Sequence, residues 1–144
     1  MKQRAILILM LLLTLAGLLL AACTGGTSGS IVRSSQSCKT GGGSGSCTGK
    51  IGTLTGTYGM DIEDEGIFNG DAIDVQITAT VENGLVEITV EDPDGKAYSV
   101  QVEPGAQAEL LGVSTGEFDG FQVTFRAVDG QAEGLSYELI YQSR

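Results

Sequence analysis

Apolar and polar residues alternate along this chain with a period of two, and the pattern holds almost unbroken beyond Ile51. Ile73, Val75, Ile77, Ala79 and Val81 interleave with Asp74, Gln76, Thr78, Thr80 and Glu82. Val86, Ile88 and Val90 interleave with Glu87, Thr89 and Glu91, and Tyr98, Val100 and Val102 form a third run. Residues 108–113 are weaker, but Phe121, Val123, Phe125 and Ala127, then Leu135, Tyr137, Leu139 and Tyr141, repeat the pattern. Successive strand side chains point to opposite faces, so this period predicts half-buried strands. Residues 51–58 supply one more. Asn83-Gly84 has the chemistry of a two-residue hairpin turn, because both positions tolerate positive φ. Asp92-Pro93-Asp94-Gly95, Pro104-Gly105 and Asp129-Gly130 are further turn signals. No stretch after Cys23 has helical periodicity. About seven strands at a spacing of roughly 12 residues predict an all-β fold, a single antiparallel β-sandwich of jelly-roll-like form over residues 50–144.

The first 49 residues follow other rules. Lys2 and Arg4 precede a run, residues 5–22, that is apolar apart from Thr14 and Gly17, and Leu20-Ala21-Ala22 leads into Cys23. Charge, apolar run and small residues in that order predict a signal peptide over residues 1–22. The run is nearly long enough to span a bilayer. However, its small residues and cysteine sit at the far end, and no positive cluster follows. Residues 24–49 are mostly Gly, Ser and Thr, with Ile31 and Val32 the only aliphatics. Such a composition predicts a flexible tether over residues 23–49.

Leu20-Ala21-Ala22-Cys23 resembles the lipobox of bacterial lipoproteins. The resemblance implies a diacylglycerol on the Cys23 thiol, cleavage before that residue, and often a further acyl chain on its amine. Two or three chains hold firmly where one binds marginally. The expected partner is therefore a membrane. The expected location is the outer face of the cytoplasmic membrane, or the outer membrane or cell surface. Thr24, standing where some two-membrane bacteria place Asp as a retention signal, leans toward the latter.

Charge and cysteines narrow the function. The chain holds eight basic and 18 acidic residues and no histidine. Loss of residues 1–22 leaves six basic side chains and a formal charge of −12. Arg33, Lys39, Lys50, Lys96, Arg126 and Arg144 are scattered singly in sequence, with no basic stripe for nucleic acid. Cys38 and Cys47 remain as a pair in an exported chain, which favours a disulfide. Free thiols and a metal site are the alternatives, the latter two ligands short of a zinc centre.

The densest candidate chemistry is acidic. Asp61, Glu63, Asp64 and Glu65 precede Gly66, with Asn69 and Asp71 close behind. Calcium takes six to eight oxygens around a bend that Gly permits. Asp61, Glu63, Glu65 and Gly66 imitate the start of an EF-hand loop, but Ala72 stands where its bidentate Glu belongs. A looser calcium site from Asp61, Glu63, Glu65, Asn69 and Asp71 is one reading, and a solvated acidic loop the other. Without histidine there is no Ser-His-Asp or Cys-His arrangement, so the expectation is a non-enzymatic module. Carbohydrate binding would want an exposed aromatic. Tyr98, Tyr137 and Tyr141 fall on the apolar phase, which leaves Tyr58 freer. Ile140 and Val128 on the polar phase could mark a partner patch.

The order beyond residue 70 resembles small jelly-roll-type sandwiches of exported bacterial proteins, such as the pre-peptidase C-terminal family. The shared features are the hairpin pattern, the Asp-Pro-Asp-Gly turn and the closing Tyr-rich strand. The resemblance implies a fold and no activity. The sequence thus reads as an envelope lipoprotein whose sandwich is an interaction or structural module. Its partner is an envelope protein or polysaccharide, and a calcium- or carbohydrate-binding role for residues 61–71 is the alternative. Cys23→Ser is expected to release the protein from membranes or to block its processing. Fractionation that finds the variant membrane-bound and normally cleaved excludes the anchor.

Overall fold

The computed structural model describes residues 29–144. The signal segment, Cys23 and the first part of the expected tether lie outside the described residues. Seven strands follow one another: β1 (Ser30–Gly41), β2 (Ser44–Glu63), β3 (Ala72–Thr80), β4 (Val86–Glu91), β5 (Ala97–Val102), β6 (Gln107–Thr115) and β7 (Gly120–Ser143). All paired strands run antiparallel. The predicted all-β sandwich is the observed fold.

Its spine is one ribbon of β2 and β7. Residues 44–55 of β2 pair with 131–142 of β7, and residues 57–63 pair with 120–126. Between these stretches Gly56 alone stands against residues 127–130. Gly56 has φ 66° and Gly130 has φ 90°, conformations that glycine adopts without a Cβ penalty. The unequal count bulges and bends the ribbon, which doubles back on itself. One half carries the order β1-β2-β7-β3-β6, and β4 and β5 extend the other half. The inner faces interdigitate through Ile73, Val75, Ile77, Val86, Ile88, Val123, Phe125, Leu135 and Leu139, all buried. Each such side chain contributes about 1.5–3 kcal/mol before chain entropy is subtracted. Doubling back brings both ends of the ribbon to one pole. There the Ser143 amide donates to the Gly43 carbonyl at 2.6 Å. The bend and Ser30, which pairs with Thr55, lie at the other pole.

Three expectations change. Residues 30–49, read from composition as tether, are β1 and the start of β2. Their glycines follow strand phase. Cys47, Gly49 and Ile51 are buried and Gly45 half-buried, while Thr48 and Lys50 are exposed. Gly45 lies opposite Tyr141 and Gly49 opposite Tyr137, and a Cβ at either glycine would collide with that ring. The tyrosines of β7 therefore cover glycine backbone and supply the apolar surface that β2 lacks. Second, Asn83-Gly84 is no hairpin turn. β3 pairs with β6 and β7, whereas β4 pairs with β5 and β7. Asn83 instead exchanges backbone hydrogen bonds with Glu133 as the chain crosses between layers. Third, Asp129-Gly130 is the corner inside β7, so two expected strands are one. The Asp92–Gly95 turn does join a hairpin, β4–β5.

Cys38 and Cys47 stand directly opposite on β1 and β2 and are joined as a disulfide, with Cα atoms 4.1 Å apart. The short separation marks a pair that exchanges no backbone hydrogen bonds.

Gly49→Ala, by forcing Tyr137 aside, should cost about 1–3 kcal/mol. Gly41→Ala, whose Cβ meets nothing within 4 Å, should change stability by less than about 0.5 kcal/mol. Urea midpoints compare the two, and equal stability would refute the glycine–tyrosine packing. Reducing Cys38–Cys47 should cost about 2–3 kcal/mol in the chain-entropy account.

Candidate functional site at the closed pole

At the pole where the ribbon ends meet, one carboxylate organises the backbone. Asp64 is buried. Its Oδ1 accepts from the amides of Gly66 at 2.9 Å and Gly43 at 3.3 Å. Its Oδ2 accepts from the Tyr141 hydroxyl at 2.8 Å and the Gly41 amide at 3.2 Å. The Asp64 amide donates to the Asp119 carbonyl at 2.7 Å. Four segments are thereby tied together: the β1–β2 turn, the β2–β3 loop, the β6–β7 turn and the end of β7. Burial pushes the Asp64 carboxyl up, but the four donors outweigh it and hold the group below its usual range. The Tyr141 hydroxyl is pushed up, by burial first and by its bond to Asp64 second. Burial likewise pushes Tyr137 up to about 12, with Tyr58 adding to it.

Beside this clasp lies a pocket of about 600 Å³, lined by Thr40, Gly41, Gly42, Glu63, Asp64, Glu65, Phe118 and Asp119. Phe118 forms one wall and is 90 % exposed. It occupies a tight turn, closed by the Glu117 amide donating to the Gly120 carbonyl at 2.7 Å. Phe118 has φ 35° and Asp119 has φ 65°. Such turns favour Asn-Gly, and a non-glycine residue held left-handed costs about 1–2 kcal/mol. The neighbouring β2–β3 loop exposes Phe68, and Gly70 and Gly116 join the two loops by a backbone bond of 2.8 Å.

The expected acidic site is only partly assembled. Glu63 and Glu65 line the pocket. Asp61 lies outward on β2, accepting from Gln122 at 3.0 Å. Asn69 is exposed in the loop. Asp71 turns to the Phe68 amide at 2.9 Å and the Ser143 hydroxyl at 3.2 Å. Among the described residues no three Asp, Glu, Cys or His side chains are placed to hold a metal ion. The most buried acid, Asp64, has both oxygens occupied by protein donors. Phe118 and Asp119 escaped the sequence reading, although an aromatic between two acids, bounded by Gly116 and Gly120, was a signal.

A second groove, about 400 Å³, crosses the outer face of the five-stranded layer. It is lined by hydroxyls of Ser35, Ser37, Thr48, Thr78, Thr80 and Ser136, with Lys50 and Glu138. Its aromatic neighbour, Tyr137, is buried. The two aliphatics marked earlier part company: Ile140 is 49 % exposed and lies near exposed Leu111, while Val128 is half-buried. Tyr58 is half-buried, freer than the buried Tyr137 and Tyr141, and like Tyr98 it packs against the core.

No family model matches the chain, and no curated protein matches it. Solved structures with which it shares similarity include the CBM22-1 xylan-binding domain of Paenibacillus barcinonensis Xyn10C. That match has 13% identity and a TM-score of 0.44, and covers 83% of this chain and 97% of that one. A family 29 carbohydrate-binding module, CBM29-2, shows 15% identity and a TM-score of 0.34 over 77% and 79%. The enzymatically active domain of bacteriophage CBA120 tailspike protein 4 shows 13% identity and a TM-score of 0.35, and this chain spans about a fifth of its length, 19%. Similarities of this size carry no argument about ligand or activity.

Asp64→Ala should strand several buried donors and cost about 3 kcal/mol or more. Asp64→Asn tests the charge itself. A carboxyl held low when folded stabilises the protein above its unfolded value, near 3.9, and that contribution disappears as pH falls through the folded value. The melting temperature of the wild type should therefore drop on acidification below about pH 4, and that of Asp64→Asn should drop less. Identical acid profiles would exclude the clasp as a source of pH dependence.

Proposed function

We propose that this chain is a membrane-anchored envelope module that binds a glycan at the closed pole. The observation that carries the reading is Phe118, an almost fully exposed ring held in a strained turn at the wall of the acidic pocket. A sugar offers a face of C–H groups and a rim of hydroxyls. The Phe118 ring suits the face, and the carboxylates of Glu63, Glu65 and Asp119 accept from the rim. Pockets that combine an apolar wall with a few fixed polar groups are the usual form of small-ligand sites. The acids disfavour anionic polymers and favour neutral or amino-bearing ones.

Orientation supports the same reading. The lipid anchor proposed at Cys23 lies seven residues before Ser30, a reach of at most about 25 Å. From Ser30 to Gly41, β1 runs roughly 36 Å at the usual rise, toward the pocket. The site is thereby presented away from the anchoring bilayer.

Affinity electrophoresis against neutral, amino-bearing and acidic polysaccharides should show retardation by the first or second class only. Phe118→Ala should weaken binding by about tenfold to a hundredfold, the effect of losing one apolar contact surface of that size. Phe118→Asn should do the same while raising the melting temperature, since Asn tolerates positive φ. Retardation that is unchanged in both variants, or absent across the panel, excludes the pocket as a glycan site.

A further inference from the structure

β1 is an unusual strand. It spans 12 residues, of which all but Ile31 are exposed, and Ile31 is its one residue packed against the core. Among the described residues it pairs with β2 alone. The other strands with one ladder, β5 and β6, pack against each other. Among the described residues no strand covers the outer edge of β1, which is an open edge of the five-stranded layer. Natural edges are commonly blunted by charged side chains, lysine above all, by proline or by bulges, and β1 carries Arg33 and Lys39. Here the one irregularity is Arg33, at φ 56°, and a regular run of eight residues, 34–41, follows it. The strand is nevertheless held in place by Cys38–Cys47.

Ladder phase identifies which groups are free. Cys38 and Cys47, with Cα atoms 4.1 Å apart, are a pair without mutual backbone hydrogen bonds, and the register runs without slip from Gly41 to Ser34. Alternation then turns the backbone N–H and C=O groups of Ser34, Gln36, Cys38 and Thr40 to the open edge.

Charge gives the edge a preference. All 18 acidic residues of the chain lie beyond residue 60. Arg126 pairs with Glu87 at 3.0 Å, Arg144 pairs with Asp74, and Lys96 lies over the Tyr98 ring at 4.5 Å. The remaining described cations, Arg33, Lys39 and Lys50, all sit on the β1–β2 hairpin and form no ion pair among the described residues. Two copies meeting edge to edge would oppose these cations. We infer that the outer edge of β1 accepts an extended strand of a partner protein that carries carboxylates, adding it to the five-stranded layer. Main-chain hydrogen bonds would supply the affinity, and Arg33 and Lys39 the preference for acidic side chains.

The test uses the full disulfide-bonded chain, kept soluble in nonionic detergent, and two ten-residue peptides. One alternates threonine with glutamate, and the other alternates threonine with lysine. The glutamate peptide should slow hydrogen exchange at the amides of Ser34, Gln36, Cys38 and Thr40, and the lysine peptide should not. Lys39→Glu should weaken binding at least tenfold, as should raising the salt to about 0.5 M, which screens exposed charges. Gln36→Pro removes an N–H that faces outward, so it should abolish binding with little change in melting temperature. Equal binding of the two peptides, protection elsewhere, or binding that survives Gln36→Pro overturns the proposal. So does a dimer that protects the same amides without peptide, since a second copy then occupies the edge.

Discussion

A ribbon that doubles back on itself must have its two ends fastened, and the hydrogen bonds to the Asp64 carboxylate do this. The bend at Gly56 and residues 127–130 lets β2 and β7 build both layers. It also leaves the start of β2, the end of β2 and the end of β7 crowded at one pole. Asp64 accepts from all of these regions through Gly41, Gly43, Gly66 and Tyr141. Glycine serves here because the backbones must approach closely: a Cβ on Gly66 would collide with Gly42 and Gly43. A buried carboxylate is costly unless each oxygen is satisfied, and here each takes two donors. The pocket walls, Thr40 to Gly42 on one side and Phe118 with Asp119 on another, are held in register by this single group.

Much of this architecture was legible in the sequence, because a strand between core and solvent sees two different environments. Residues 73–81, 86–90 and 121–127 alternate for that reason. β1 was illegible for the opposite reason. Its faces are both exposed, so no alternation is imposed and its composition resembles a linker. The start of β2 was hidden because its inward positions are Gly45 and Gly49, whose apolar cover is contributed by Tyr141 and Tyr137 some ninety residues away. Asn83-Gly84 has hairpin chemistry, yet β3 found its partners in β6 and β7, and long-range pairing overrode the local signal. The clasp did leave a trace. Met60, Ile62 and Asp64 share the inward phase, whereas Asp61, Glu63 and Glu65 share the outward one. An acid on the apolar phase has to be satisfied by protein groups, and its neighbours remain free for solvent or ligand.

The closed pole also concentrates the strain. Phe118 and Asp119 adopt left-handed conformations in a turn where Asn-Gly would be relaxed. Phe118 returns no packing for that cost, since its ring is exposed. Phe121 and Phe125, by contrast, are buried and pack edge-on and tilted against Tyr141 and Tyr137, at centroid distances of 5.0 and 5.3 Å. Half of the four phenylalanines therefore stabilise the core, and the other half, Phe68 and Phe118, stand outside it on adjoining loops. Exposed apolar side chains are ordinary when scattered; Phe68 and Phe118 stand on loops bonded to each other, and Phe118 lines the pocket.

The disulfide separates two regions of β1 with different demands. Beyond Cys38 the strand leads into Thr40, Gly41 and Gly42, which wall the pocket, and the amides of Gly41 and Gly43 donate to Asp64. Before Cys38 it runs toward the far pole with little to hold it but the ladder to β2. Exposed edge ladders open at low free energy, and β1 without a cross-link would fray from Ser30 toward the turn. A covalent bond between Cys38 and Cys47 stops any such opening before it reaches residue 39. The pocket wall therefore keeps its place on β2 even when the outer part of the strand does not. This explains why the cross-link sits on a strand that adds so little to the core: what it protects lies at the end of that strand.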